Sequence, residues 1–310
     1  MSHATQATPA ITSPKPRWQN KLKAFLILCK LRVNSLIVFT AVIGMLLALP
    51  NLMLNWGIAL RIGIAALGIA LTAFAAAAIN CLVEQSIDAR MTRTRSRPTV
   101  KGVISAPEVL TLSAITGGVG LYLLHALINP LVMWLTFATF VGYAIIYTVL
   151  LKPSTPMNIV IGGAAGAMPP LLGWAAMTGQ VGQEAIALFL IIFVWTPPHF
   201  WALACYRRDD YVASGLPMLP LTHGLAVTCL HIFLYIIMLT AVSLIPVSLG
   251  MSRWLYLAAA LLLGSRFLWL GWRLWRHYSD EAARQTFRFS IVYLALLFAA
   301  MLADKLAQQL

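Results

Sequence analysis

Asn80, Glu84 and Asp88 recur at intervals of four in the stretch Asn80-Cys-Leu-Val-Glu84-Gln-Ser-Ile-Asp88. In a helix this spacing stacks three oxygen-bearing side chains on one face, one turn apart. Such a set suits Mg²⁺, a hard cation that takes a few carboxylates together with substrate phosphates and water. Arg93-Thr-Arg95-Ser-Arg97-Pro98 follows a few residues on, and guanidinium groups in a run suit phosphate. The plainer account is a wetted helix end followed by ordinary loop cations. Acids followed at once by arginines are more than topology alone requires. Only nine carboxylate side chains occur in 310 residues, so their placement carries information.

A second constellation runs Trp195-Thr-Pro197-Pro198-His199-Phe-Trp201 and on through Tyr206-Arg207-Arg208-Asp209-Asp210-Tyr211. Consecutive prolines remove two backbone donors and are expected to kink a helix, exposing carbonyls to a cavity. An ionisable group inside an apolar run usually marks function. His199 has the alternative of being satisfied by a neighbouring helix, and Asp209 and Asp210 that of pairing with Arg207 and Arg208 in solvent. Lys152, between the two constellations, is placed to reach a phosphate or serves only as a loop cation. Tyr143, Tyr147, Trp174, Trp195 and Trp201 present ring faces that stabilise a cation, although aromatic belts at a membrane interface read the same way. The glycines of Gly162-Gly163-Ala-Ala-Gly166 are best explained by close helix packing.

The elements that must position these residues are membrane helices. The chain is 60% hydrophobic and 10% charged, against roughly 25% charged in a soluble domain. Apolar runs of the length a bilayer demands are expected at 34–50, 58–79, 107–128, 131–151, 159–178, 184–206, 226–248, 254–272 and 288–307. The runs do not alternate with period two, which excludes barrel strands. Residues 1–24 are polar and rich in Pro, Thr and Ser, and are expected to be a disordered cytoplasmic N-terminus; 25–310 read as one transmembrane domain. Residues 1–24 have neither a secretory signal core nor the Arg-rich pattern of a transit peptide, which mildly favours a bacterial plasma membrane.

A net charge of +13 need not mean nucleic acid. The cations cluster before the first span and after the second, fourth, sixth and eighth, which is the positive-inside pattern and sets the N-terminus in the cytoplasm and the C-terminus outside. Glu84, Asp88, Asp209, Asp210, Asp280 and Glu281 then fall on the cytoplasmic side, while Glu108, Glu184 and Asp304 have no evident partner. Cys29, Cys81, Cys205 and Cys229 are scattered and suggest neither a disulfide framework nor a thiolate metal site. Spans one to four and five to eight read as a weak internal repeat, each half presenting acids after its second helix. On that reading the two acid clusters face each other with a diphosphate and Mg²⁺ between them.

These residues resemble the UbiA-type intramembrane prenyltransferases, and within that family the branch that farnesylates haem. Asn80, Glu84 and Asp88 match the family's N/D-x-x-x-D-x-x-x-D pattern. The haem branch is matched by Met91 through Pro98, by Thr155-Pro156-Met-Asn158 through Gly173-Trp174, by Trp195-Thr-Pro-Pro-His199-Phe-Trp, and by Asp209-Asp210-Tyr211 through Pro220. The likeness runs from about residue 25 to 305. Glu84 stands where many relatives carry Asp, Asp209-Asp210 are adjacent where the family usually has D-x-x-x-D, and Pro-Ser follows Lys152 where a further basic residue is common.

The resemblance implies an all-α fold of about nine helices around a central cavity and transfer of a farnesyl group from farnesyl diphosphate to a vinyl group of haem B. It implies Mg²⁺ held by Asn80, Glu84, Asp88, Asp209 and Asp210, diphosphate contacts from Arg93, Arg97, Lys152 and Arg208, and an acceptor pocket containing His199, Tyr147, Trp195 and Asn158. Haem A synthase or the terminal-oxidase assembly would be the downstream partner. The rival readings are a prenyltransferase for a quinone-precursor ring and a non-catalytic haem or lipid transporter. Transporters tend to place charges near the bilayer midplane, whereas these acids gather at one rim.

Overall fold

Each long apolar run forms a helix, because within a bilayer only a helix or closed barrel satisfies every backbone N–H and C=O. The structure is a computed structural model that describes residues 18–52 and 55–309. Among the described residues nine helices are long and apolar enough to cross a membrane: Leu31–Ala48, Trp56–Val83, Ala106–Leu127, Pro130–Ser154, Asn158–Thr178, Gln183–Tyr206, Gly224–Ser248, Trp254–Arg276 and Asp280–Ala307. They are the first to ninth spans below.

Capping sets where several of them begin. The Asn55 side chain accepts from Ile58 N at 2.9 Å and the Asn129 side chain from Val132 N at 2.8 Å; each such cap stabilises a helix by about 1 kcal/mol. Ser279 accepts from Ala282 N at 3.1 Å, with Asp280 and Glu281 in the first turn, where acids favour the helix dipole. The ninth span therefore starts eight residues before the apolar run expected at 288–307, and Arg284 and Arg288 belong to the helix. The second span likewise continues to Val83 and carries Asn80 within it.

Residues 18–24, expected to be disordered, lie in a short helix, Trp18–Leu28, that buries Ala24, Phe25 and Leu28. The remainder of that expected N-terminal segment, 1–17, falls outside the described residues. The fifth and sixth spans run without a break through Pro169-Pro170 and Pro197-Pro198. Over Gly142–Leu151 the fourth span is wound as a π-helix, a form common at functional sites.

The first and fifth spans approach closely, because a Cβ on Gly44 or Gly173 would overlap the Pro170 or Ala41 carbonyl oxygen respectively. The sixth span packs against the fifth, seventh and ninth and supplies much of the largest buried cluster, including Leu188, Ile191 and Trp201.

The two ends of the bundle differ. At one, Asp304 accepts from Arg253 N at 2.6 Å, Leu255 N at 3.1 Å and Tyr256 N at 3.2 Å, closing the start of the eighth span. Beside it Lys305 donates to the carbonyls of Leu47 and Leu49 at the end of the first span. Asn129 and Arg61 there donate to the carbonyls of Ala175 and Ala176, each at 3.0 Å. Asp304 is thus a cap. Glu108 also has a partner, pairing with Lys21. The opposite end, called the motif end here, gathers the connections after the second, fourth and sixth spans.

Candidate active site

The second span stops at Val83, Glu84 takes φ −84° and ψ 7°, and a single turn, Gln85–Asp88, follows. The i→i−4 backbone bonds nevertheless continue, from Glu84 N to Asn80 O at 3.0 Å and from Asp88 N to Glu84 O at 2.8 Å. Asn80, Glu84 and Asp88 therefore follow one another along one end of the helix, as their spacing predicts. All three are buried.

Each is engaged by the chain's own groups. Asn80 Nδ2 donates to Glu84 Oε1 at 2.7 Å and to Thr148 Oγ1 at 3.1 Å. Lys30 Nζ donates to Asn80 Oδ1 at 2.6 Å. Lys152 Nζ meets Glu84 Oε1 at 2.5 Å, and Arg97 pairs with Asp88. Glu84 lies just past the second span; burial pushes its carboxyl up, but Lys152 and then Lys30 prevail, and it is held below the usual carboxylate value. The site is a buried, self-neutralised cluster of acids and cations.

The π-wound segment supplies two walls of it. Thr148 Oγ1 donates to Tyr143 O, five residues back, at 2.7 Å, leaving its lone pairs to Asn80. The same winding sends Lys152 N to Tyr147 O. Tyr143 and Tyr147 stack with centroids 5.7 Å apart. Tyr147 packs directly on Gly162, where a Cβ would run into its ring. Lys30 comes from the junction of the short helix and the first span, with φ 49° and ψ 51°, the sole positive φ outside glycine among the described residues. A non-glycine residue held there costs about 1–3 kcal/mol and persists where its surroundings enforce it.

The loop that follows the first cluster meets the second, with Ile87 and Met91 packed into the same buried cluster as Tyr211. A cavity of about 70 Å³ is lined by Met91 and Arg93 from the loop after the second span and by Leu203, Arg207, Asp210 and Tyr211 from the end of the sixth and the helix after it. Asp210 is half-buried with Arg207 at 3.9 Å, whereas Arg208 and Asp209 are exposed. Among the described residues no three His, Cys, Asp or Glu side chains converge as a metal site. The cations Lys152 and Arg97 hold the carboxylates.

The expected acceptor residues separate into three places. His199 stacks between Trp195, at 4.3 Å, and Phe287, at 4.7 Å, and its Nδ1 hydrogen-bonds Ser290 Oγ at 2.7 Å. Trp195 Nε1 donates to Ser290 O at 2.7 Å, so this pair faces the ninth span. Tyr147 belongs instead with the acid cluster, because the wide winding turns it toward Gly162 and Lys152. Asn158 is fully buried, and its Nδ2 donates to Thr155 O at 2.6 Å. It serves a connection in which Pro153 and Pro156 supply no N–H of their own.

Three contributors were not singled out from the sequence. Lys30 lies among other cations before the first span, and nothing in its neighbours marks it. Thr148 and Ser290 are single hydroxyls in apolar helices, and only the fold shows what they face.

A sequence model of the UbiA prenyltransferase family matches residues 37–299. A protoheme IX farnesyltransferase of Dechloromonas aromatica is 64% identical over 96% of this chain and 98% of its own length. One from Thiobacillus denitrificans is 62% identical over 92% and 94%. One from an Acidovorax species is 59% identical over 98% and 99%. Among solved structures, a digeranylgeranylglyceryl phosphate synthase superposes with a TM-score of 0.77 at 19% identity, covering 92% of this chain and 98% of that one. A UbiA homologue of Archaeoglobus fulgidus, solved with DMAPP and Mg²⁺, gives 0.62 at 14% identity, covering 92% and 99%. On the family match and the full-length relatives, this chain belongs to the UbiA prenyltransferase family.

Proposed function

We propose that this chain transfers the farnesyl group of farnesyl diphosphate to a vinyl group of protoheme IX (haem B), giving haem O and free diphosphate. The observation that carries the reading is the meeting at the motif end of two loops remote in sequence. Arg93 of one and Asp210 and Tyr211 of the other share a cavity beside the Asn80–Glu84–Asp88 cluster. Relatives 58–64% identical over nearly the whole chain carry the name protoheme IX farnesyltransferase, which supports this acceptor over a quinone-precursor ring.

Asn80, Glu84 and Asp88 are oxygen donors of the kind Mg²⁺ takes alongside phosphate. They would hold the ion once Lys152 and Arg97, now paired with Glu84 and Asp88, turn to the phosphates, with Asp210 joining from the facing loop and Asp209, exposed, at the rim. Bound there, the ion supplies positive charge that makes diphosphate a better leaving group. The rest falls to the chain. Arg93, Arg97, Lys152 and Arg208 bind phosphate oxygens, and the charge they bring is stronger in a site that excludes water. Lys152 and Arg97 are preorganised for this by their carboxylate partners. The allylic C–O bond breaks with its electron pair leaving on diphosphate. The vinyl π electrons then bond to the farnesyl carbon, and water adds to the resulting cation with loss of a proton, leaving a hydroxyethylfarnesyl side chain. Tyr143 and Tyr147, stacked beside the cluster, bring aromatic π density that stabilises positive charge. His199 meets the acceptor through Nε2, since Nδ1 is taken by Ser290.

The cations gathered at the motif end support a bacterial plasma-membrane protein with that end and the N-terminus cytoplasmic and the C-terminus outside. A haem A synthase or the terminal-oxidase assembly that consumes haem O is the partner this reading implies. Incubating the purified protein with farnesyl diphosphate and either haem B or 4-hydroxybenzoate, followed by mass spectrometry, tests it. Farnesylated haem is expected, with loss of product in Asp88→Ala and in excess chelator. Product from the benzoate alone would refute the proposal.

A further inference from the structure

One opening at the motif end lies apart from the acid cluster. A cavity of about 310 Å³ is lined by Tyr206 and Arg207 at the end of the sixth span and by Arg284, Phe287 and Arg288 on the ninth. Arg284 and Arg288 are one helical turn apart, so their guanidinium groups leave the same face. Among the described residues neither lies within ion-pair distance of a carboxylate. Arg284 stands over the Tyr206 ring at 5.4 Å and Arg207 over the same ring at 5.8 Å. The aromatic wall is Tyr206 and Phe287, packed edge-on at 5.9 Å; behind Phe287 lies His199, face-on at 4.7 Å, which in turn stacks on Trp195.

Cations at the rim above a stack of flat rings suit a flat ligand with carboxylates along one edge. We propose that Arg284 and Arg288, with Arg207, anchor the two propionates of haem B. The proposal rests on the reading that haem B is the acceptor. Its vinyl groups lie on the edge of the macrocycle opposite the propionates. Fixing the acid edge among these arginines turns the vinyl edge inward, past Phe287 and toward the His199 it covers. Arg207 also lines the smaller cavity with Arg93 and Asp210, so the propionate anchor adjoins the diphosphate region, and one cation spans both substrates. Guanidinium suits this task because its planar fork meets a carboxylate with two hydrogen bonds.

The test uses the full-length protein in vesicles, with haem affinity read by Soret titration for haem B and for its propionate dimethyl ester. Esterification is expected to weaken binding to the wild type by about tenfold or more, the scale of a lost charge-assisted hydrogen bond. Arg284→Gln with Arg288→Gln should lose the same factor for haem B, bind the ester as the wild type does, and leave KM for farnesyl diphosphate unchanged. Lysine at both positions should recover part of the affinity. Equal binding of haem B by wild type and double glutamine variant overturns the proposal, as does an equal loss for the ester, which would mean a packing defect. A deficit present in phosphatidylglycerol vesicles and absent in phosphatidylcholine assigns the arginines to lipid headgroups and also overturns it. The farnesylation assay is separate: a wild type that discriminates against the ester but forms no farnesylated haem keeps the anchor and removes the reaction.

Discussion

Lys152→Met isolates the cation nearest the acid motif while keeping most of its stem. The pair it breaks is well shielded, with the Glu84 side chain 6% exposed and that of Lys152 19% exposed. Removing one partner of a buried pair costs about 3–5 kcal/mol, because the remaining charge is left uncompensated. Glu84 still keeps the Asn80 amide, so the expected loss is near the lower figure, about 3 kcal/mol. Glu84→Gln alone strands Lys152, which is more exposed, and about 2 kcal/mol is expected. The double variant strands neither and should lose less than the two added, by about 2 kcal/mol, within the range seen for coupled neighbours.

Acidity supplies a second check on the same pair. In the wild type Lys152 holds the Glu84 carboxyl below its reference of 4.5, so the stabilisation is complete above that pH and is lost as pH falls through the lowered folded value. Without Lys152 burial has less opposition. The deficit of Lys152→Met should therefore be full at pH 7 and shrink as pH falls from the raised Glu84 value of the variant to the lowered value of the wild type. Denaturant titration in detergent across pH 4–7, for the four proteins of the cycle, measures both. Additivity within about 0.5 kcal/mol, or a deficit independent of pH, would refute the reasoning.

Thr148→Val removes the acceptor of the Asn80 amide and the tie to Tyr143 O; a loss of about 1–2 kcal/mol is expected in thermal unfolding, with a lower kcat as Asn80 drifts. Ser290→Ala frees Nδ1 of His199, and steady-state kinetics should show KM rising for haem B while KM for farnesyl diphosphate holds. Asp304→Ala leaves three backbone N–H groups without their acceptor, costing about 2–3 kcal/mol; it should lower the unfolding temperature yet preserve turnover at low temperature.

Helix number and position were legible because apolar runs in a bilayer have few alternatives. Their ends were less so. The ninth span was expected to begin with the apolar run at 288, but Ser279 nucleates it earlier and the charged first turns extend beyond the apolar stretch. The order Asn80, Glu84, Asp88 could be read from a spacing of four, since local periodicity fixes it. That Arg97 and Lys152 are their counter-ions could be guessed only as phosphate ligands, because charge sign is local but pairing is tertiary. Tyr147 was expected in the acceptor pocket; its direction depends on the wide winding of Gly142–Leu151, which no composition rule signals. Arg284 and Arg288 could be read only as loop cations, because their partner surface, Tyr206, comes from a span three helices earlier.

Asp304 and Lys305, neighbours of opposite charge, stitch the ninth span to the amides that start the eighth and to the carbonyls that finish the first. At the other tip Arg273 Nη1 donates to Gln285 Oε1 at 3.0 Å, so the last two spans are laced together at both ends. The eighth span has 23 residues, about 35 Å at 1.5 Å per residue, and that whole length is braced against its neighbour. Lys305 then fastens the pair to the first span, so one lysine joins the end of the chain's helical bundle to its beginning.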